Sequence, residues 1–92
     1  MILIDQPLWW HRGRRWSHMA SDVSIDELRR FAEANGLDQR TFHGDHYDVP
    51  EEYVARLIAA GAVSVSSREL LERLRAAGLR LSPSARRSQA RG

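Results

Sequence analysis

Ninety-two residues, 42% of them hydrophobic, suffice for one compact domain and exclude a multidomain architecture. The absence of cysteine excludes disulfides and thiolate metal sites and favours a cytoplasmic setting, and no apolar run is long enough for a signal peptide or a membrane span. The net charge of +2 hides a segregation: residues 1–20 carry three arginines against one acid, residues 21–60 nine acids against four arginines, and residues 61–92 seven arginines against two acids. Lysine is absent. An arginine-only basic set fits GC-rich codon usage first and bidentate phosphate contacts second.

In chain order, Met1–Ile4 is a short apolar run followed by Asp5 and Pro7, the pattern of a buried strand with Asp5 at its C-terminal end. Residues 6–22 show no clear periodicity and read as a long loop, a kind of segment that often carries function. Ser24-Ile-Asp-Glu is a capping box opening a helix whose buried face is Ile25, Leu28, Phe31 and Ala32. Asn35-Gly36 closes it, with Leu37 as the apolar contact expected after a left-handed glycine. Arg40–His43 reads as a second short strand. Asp48-Val-Pro-Glu then opens a second helix, with Asp48 as its cap, Pro50 in its first turn and a stripe of Tyr53, Val54, Leu57 and Ile58 that ends at Gly61. Ala62–Val65 is predicted as a third strand, and Ser66 to Glu69 cap a third helix with Leu70, Leu71, Leu74 and Ala77 on one face. Residues 1–81 are thus expected to form the domain. Residues 82–92, rich in Ser and Arg, bury too little apolar surface to offset their ordering entropy and are expected as a disordered tail.

This order predicts an α/β domain, with a small, mostly parallel three-stranded sheet covered by three helices and a long loop after the first strand. In such sheets ligands bind beyond the carboxyl ends of the strands. Asp5 with the arginine–tryptophan segment, His43–Asp48, and Ser66-Ser67 would all converge there.

The chemistry concentrates in Thr41–Pro50, which places His43, Asp45, His46 and Asp48 within six positions. One reading is a metal site with His18, Asp22, His46 and Asp48 as ligands and Asp5 as a further ligand or general base. Such a set suits Zn, Mn or Mg, and the ion would acidify a bound water for phosphoester hydrolysis, giving Asp5, His18, His46 and Asp48 catalytic roles. His18 and Asp22 stand four apart, so a helical turn would put them on one face. The spacings match no familiar metal motif. The bland counterpart makes Asp48 a helix cap, Asp45 a turn residue beside Gly44, His43 a core histidine, His46 a brace for the loop, and Asp5 the ion-pair partner of an arginine. A second reading is a nucleotide or nucleic-acid binding module, in which Trp9, Trp10 and Trp16 interleave with Arg12, Arg14 and Arg15 to stack bases and hold phosphates. The helix amide donors at Ser67 would bind an anion. Its counterpart has the tryptophans packing the loop onto the core. A third reading is a homodimeric interaction or scaffolding domain that joins acidic and basic segments of two copies. None of these readings requires a membrane.

The segments Trp16–Asp22, His43–Pro50 and Ala60–Leu70 resemble domain-of-unknown-function family 4031, whose members are small bacterial and phage proteins. The resemblance runs from Met1 to about Leu81. The family pattern of an acid after the first strand, a Ser-His-Met followed by an acid, and a His-Tyr-Asp falls on Asp5, on Ser17-His18-Met19 with Asp22, and on His46-Tyr47-Asp48. The family has no established activity, so the resemblance implies a grouping of residues and no chemistry.

Overall fold

A computed structural model describes residues 1–80 of the chain. The expected tail, 82–92, lies outside the described residues. Five strands and three helices follow one another as β1 (Ile2–Ile4), β2 (Trp9–His11), β3 (Arg14–Ser21), α1 (Ile25–Ala34), β4 (Tyr47–Pro50), α2 (Glu51–Ala59), β5 (Val63–Ser64) and α3 (Ser67–Ala76), with a 3₁₀ turn at Gln39–Thr41.

The expected mostly parallel three-stranded sheet is wrong. The sheet has five strands, its order is β2-β3-β1-β5 with β4 also paired to β3, and only the β1–β5 pair is parallel. The segment read as a loop is the reason. His11 and Arg14 close a two-residue hairpin whose central residues, Arg12 and Gly13, take φ of 52° and 76°. Two positive φ values in succession mark a type I′ turn, whose handedness suits a twisted hairpin. The strand expected at Arg40–His43 is instead largely the 3₁₀ turn Gln39–Thr41, and the fourth segment to join the sheet is Tyr47–Pro50.

β3 is the hub. Trp16 pairs with both Trp9 and Pro50, and Met19 with both Ile4 and Tyr47. β1 and β2 therefore share one edge of β3, and β4 occupies the other. Between the Ile4–Met19 and Trp9–Trp16 pairs the chain advances five residues on one side and three on the other, so two residues bulge out of the ladder around Gln6-Pro7. Proline, which has no amide to donate, fits such a break.

Side chains alternate across this sheet, and each face meets a different layer. Ile2, Ile4, Met19, Tyr47 and Val49 pack with Leu28, Ala32 and Leu57 of α1 and α2. Leu3 and Ala20 pack on the opposite face against Leu70 and Leu74 of α3. A fully buried aliphatic side chain contributes about 1.5–3 kcal/mol relative to exposure, so the larger cluster supplies most of the driving force. The third layer is incomplete. Trp16 and His18 share the face of Ala20 but stand beyond α3, which leaves that part of the sheet open.

The helix ends follow the sequence closely, with two corrections. Ser24 caps α1 by accepting the Glu27 amide at 3.0 Å, and Ser66 caps α3 by accepting the Glu69 amide at 3.0 Å. The Glu27 carboxylate does not return to the cap, however. It accepts the Ser21 hydroxyl at 2.6 Å and so ties the end of β3 to α1. Asp48 does not cap α2: Pro50 stands at the N-cap with no side-chain bond, while Asp48 lies in β4 opposite His18. Of the α2 stripe, Leu57 is buried, whereas Tyr53 and Ile58 are exposed. No helix among the described residues is long and apolar enough to cross a membrane.

Candidate metal centre

The open face takes its polar groups from four places in the chain. Mid-strand in β3, His18 lies beside Asp48 of β4 as a directly opposed pair, which brings the two side chains together on one face. The turn before β4 delivers His46. Gly44, at φ 76°, lets the chain reverse so that the His43 amide bonds the His46 carbonyl at 2.8 Å. Asp5 continues β1, its amide donating to the His18 carbonyl at 3.0 Å.

Two carboxylates hold the two imidazoles by the same ring atom. Asp5, only 2% exposed, accepts the His18 backbone N–H at 2.6 Å, contacts His18 Nδ1 at 2.9 Å and accepts the Ser67 hydroxyl at 2.8 Å. Asp45, likewise buried, contacts His46 Nδ1 at 2.6 Å, and its other oxygen lies 3.5 Å from Arg80 Nε. The carboxylates accept at Nδ1, so the Nε2 atom of each ring is left for another partner. His46 Nε2 faces Asp48 Oδ1 at 3.2 Å, and His43 Nε2 lies 2.9 Å from Asp48 Oδ2. The Asp48 Oδ1 atom is buried without a hydrogen bond, since its approach to His46 has the distance but not the alignment of one.

One donor atom each from His18, His46 and Asp48 lies within 4.8 Å of the others. Ligands about 2.0–2.2 Å from a tetrahedral zinc ion stand roughly 3.3 Å apart, and the His46–Asp48 distance of 3.2 Å matches such an edge. With Nδ1–H directed at Asp45, His46 Nε2 turns a lone pair toward a carboxylate oxygen. A cation bound between the two atoms would resolve that clash. The hydrogen bond to Asp5 raises the pKa of His18 above its ordinary 6.5, against the opposing effect of burial. Metal uptake would have to displace that proton.

Two hollows meet at this cluster. The larger, about 330 Å³, is lined by Trp9, Arg12, Trp16, Arg40, His43 and Asp48 among others. The smaller, about 180 Å³, is lined by Asp5, His18, His46, Ser67, Arg80 and leucines of α3. Of the donor set, Asp48 lines the larger hollow, and His18 and His46 line the smaller. Trp9 stacks nearly parallel to both His11 and His18, at 5.4 and 5.6 Å between ring centroids. Ser67 donates to Asp5 rather than to an imidazole, so it is not arranged as a histidine-activated nucleophile.

Of the residues singled out in the sequence, Asp5, His18, His46, Asp48 and Ser67 gather here, and Arg12 borders the larger hollow. Asp22 does not join them. It follows β3 and lies 3.4 Å from Arg73, because four extended residues carry the chain about 13 Å where a helical turn would have doubled back. Trp10 and Arg15 oppose each other on the other face of the hairpin, and Arg14 is held by Glu52 at 2.7 Å. The roles of Asp45 and His43 as partners of His46 and Asp48, and the contribution of Arg40 and Arg80, were not legible beforehand. Only the period-two spacing of Trp9, His11, Trp16 and His18 hinted that they share a face.

Fold and site together define a small α/β domain with a histidine–carboxylate centre on the uncovered part of its sheet. The chain belongs to the family described as "Protein of unknown function (DUF4031)", whose profile matches residues 2–77. No curated protein and no solved structure matches the chain.

Proposed function

We propose that this chain binds a divalent transition metal, zinc in the first instance, through His18 Nε2, His46 Nε2 and Asp48, and that the ion receives a phosphate-bearing ligand from the larger hollow. The observation that carries this reading is the paired arrangement of buried carboxylates, Asp5 and Asp45, which secure both imidazoles at Nδ1 while a buried Asp48 oxygen without a hydrogen bond faces His46 Nε2. Carboxylate–histidine pairs of this kind orient metal-binding imidazoles and raise their basicity. Two nitrogen donors favour zinc or manganese over magnesium, which prefers an all-oxygen shell. Three protein ligands would leave a position for water or a phosphate oxygen, and the ion would acidify a bound water enough for attack on a phosphoester near neutral pH.

The test is zinc titration of metal-free protein by calorimetry, together with His46→Ala and Asp48→Asn. Stoichiometric binding that weakens at least about a hundredfold in both variants, with unchanged circular dichroism, is the expected result. Failure of the unaltered protein to bind zinc or manganese would sink the proposal. Turnover of a model phosphate ester by the loaded protein separates hydrolysis from binding alone.

A further inference from the structure

Resting on that metal reading, we infer that the ligand is a mononucleotide, held with its phosphate at the His18–His46–Asp48 centre and its base on the Trp9–Trp16 surface. The larger hollow carries the argument. At about 330 Å³ it lies at the small end of the roughly 300–1,000 Å³ of small-molecule sites, so it takes a single nucleotide and not a duplex. Its aromatic side is built from Trp9 and Trp16, opposed residues of the β2–β3 hairpin on the open face. Trp9 remains 40% exposed although it already stacks on His11 and His18. Trp16 is oriented by its Nε1–H, which donates to the His11 carbonyl at 2.8 Å, and its ring lies tilted against Trp9 with the Arg14 guanidinium 6.0 Å from its centroid. Stacking on such rings tolerates any base. His18 belongs both to the donor cluster and to the Trp9 stack, so the aromatic surface adjoins the centre.

Arg12 supplies the charge. Arg40 is neutralised by both carboxylate oxygens of Asp38, whereas Arg12 has no ion-pair partner among the described residues. Arg12 also sits at φ 52°, a left-handed position that asparagine or glycine occupies with less strain. A cation kept at the mouth of the hollow, at a turn position that suits it poorly, is accounted for by contact with an anion. Asp48 faces the same hollow and would repel a phosphate unless a metal ion stood between them.

The experiment uses the full chain loaded with zinc, and compares AMP, ribose 5-phosphate, inorganic phosphate and adenosine by calorimetry and tryptophan fluorescence. AMP should bind at least about fivefold more tightly than ribose 5-phosphate, the low end of what base stacking confers, and should quench tryptophan emission. GMP and CMP should follow within a few-fold. Arg12→Asn converts the turn to Asn-Gly, so its melting temperature should hold or rise while affinity for every phosphate falls about tenfold. If zinc binds stoichiometrically but AMP binds no better than ribose 5-phosphate, or no better than adenosine, the ligand class is wrong and the metal reading stands. If zinc does not bind, the metal reading itself has failed. Unchanged phosphate affinity in Arg12→Asn would remove Arg12 from the site.

Discussion

The two faces of the sheet are built from the same strands and do different work. Toward α1 and α2, β3 presents Met19 to a closed apolar cluster; toward α3 it presents Ala20 to a smaller cluster and His18 to an open polar one. The covered face holds the domain together. The half-covered face keeps charged groups fixed and still reachable, with Asp5 and Asp45 buried and His18 about one-third exposed. A small domain gains a rigid polar centre in this way by leaving its third layer unfinished. Four measurements test that contrast.

The largest effect belongs to the covered face. Leu57→Ala should cost about 2–5 kcal/mol in urea unfolding, a large share of the roughly 5–15 kcal/mol available to a domain. His46→Ala, measured without metal, should cost less than half as much. Equal costs would mean that the polar cluster is a structural network rather than a site.

Next comes Asp45→Asn, which keeps the shape of the side chain but weakens its hold on His46 Nδ1. Zinc affinity should fall about 10–100-fold with little change in the melting temperature of the metal-free protein. An unchanged affinity would show that Asp45 does not orient the imidazole.

The acid limb of stability should depend on Glu27. The Ser21 hydroxyl is the first cause of its depressed pKa, with the Met1 amino group second. A depressed carboxylate stabilises the fold above its ordinary value of 4.5, and that contribution disappears as pH falls through the lower folded-state value. Glu27→Gln should therefore flatten the decline in melting temperature below pH 4.5, and an identical decline in the variant would refute the assignment.

The smallest effect has the opposite sign. The Ser17 hydroxyl is fully buried with no hydrogen bond, so Ser17→Ala removes an unpaired polar group and should leave stability unchanged or raise it by up to about 1 kcal/mol. A loss beyond about 1 kcal/mol would reveal a partner for that hydroxyl.

Local chemistry was the legible part of the chain. Ser24, Ser66 and the Asn35-Gly36 stop announced three helix ends because capping depends on neighbours in sequence. β3 stayed hidden because buried Ser17 and Ser21 flank Met19 on the covered face, where alternation calls for apolar residues, and Arg-Gly is not the usual pair for a tight hairpin. That hairpin is the difference between the mostly parallel sheet expected and the mixed, mostly antiparallel one observed. Asp48 misled for a related reason, since Asp-Val-Pro-Glu suits both a helix cap and a strand end, and only the pairing with β3 decides between them. Asp5, His46, Asp48 and Ser67 could be grouped in advance because each is polar and adjoins an element boundary or a breaker, whereas His18, mid-strand in β3, joined them through the Ser-His-Met of the family pattern. Which carboxylate would hold which imidazole depended on strand register, which composition does not encode.

Because β3 serves both faces through alternate residues, its length is constrained more tightly than its composition. A single residue inserted after Ser17 would exchange the two sets beyond it, sending an imidazole toward the helices and a methionine toward the tryptophans. Conservative replacements along the strand need only respect volume and polarity, position by position. An indel there offers no such compromise, whereas extra residues at the Arg12-Gly13 tip leave every pairing below it in phase.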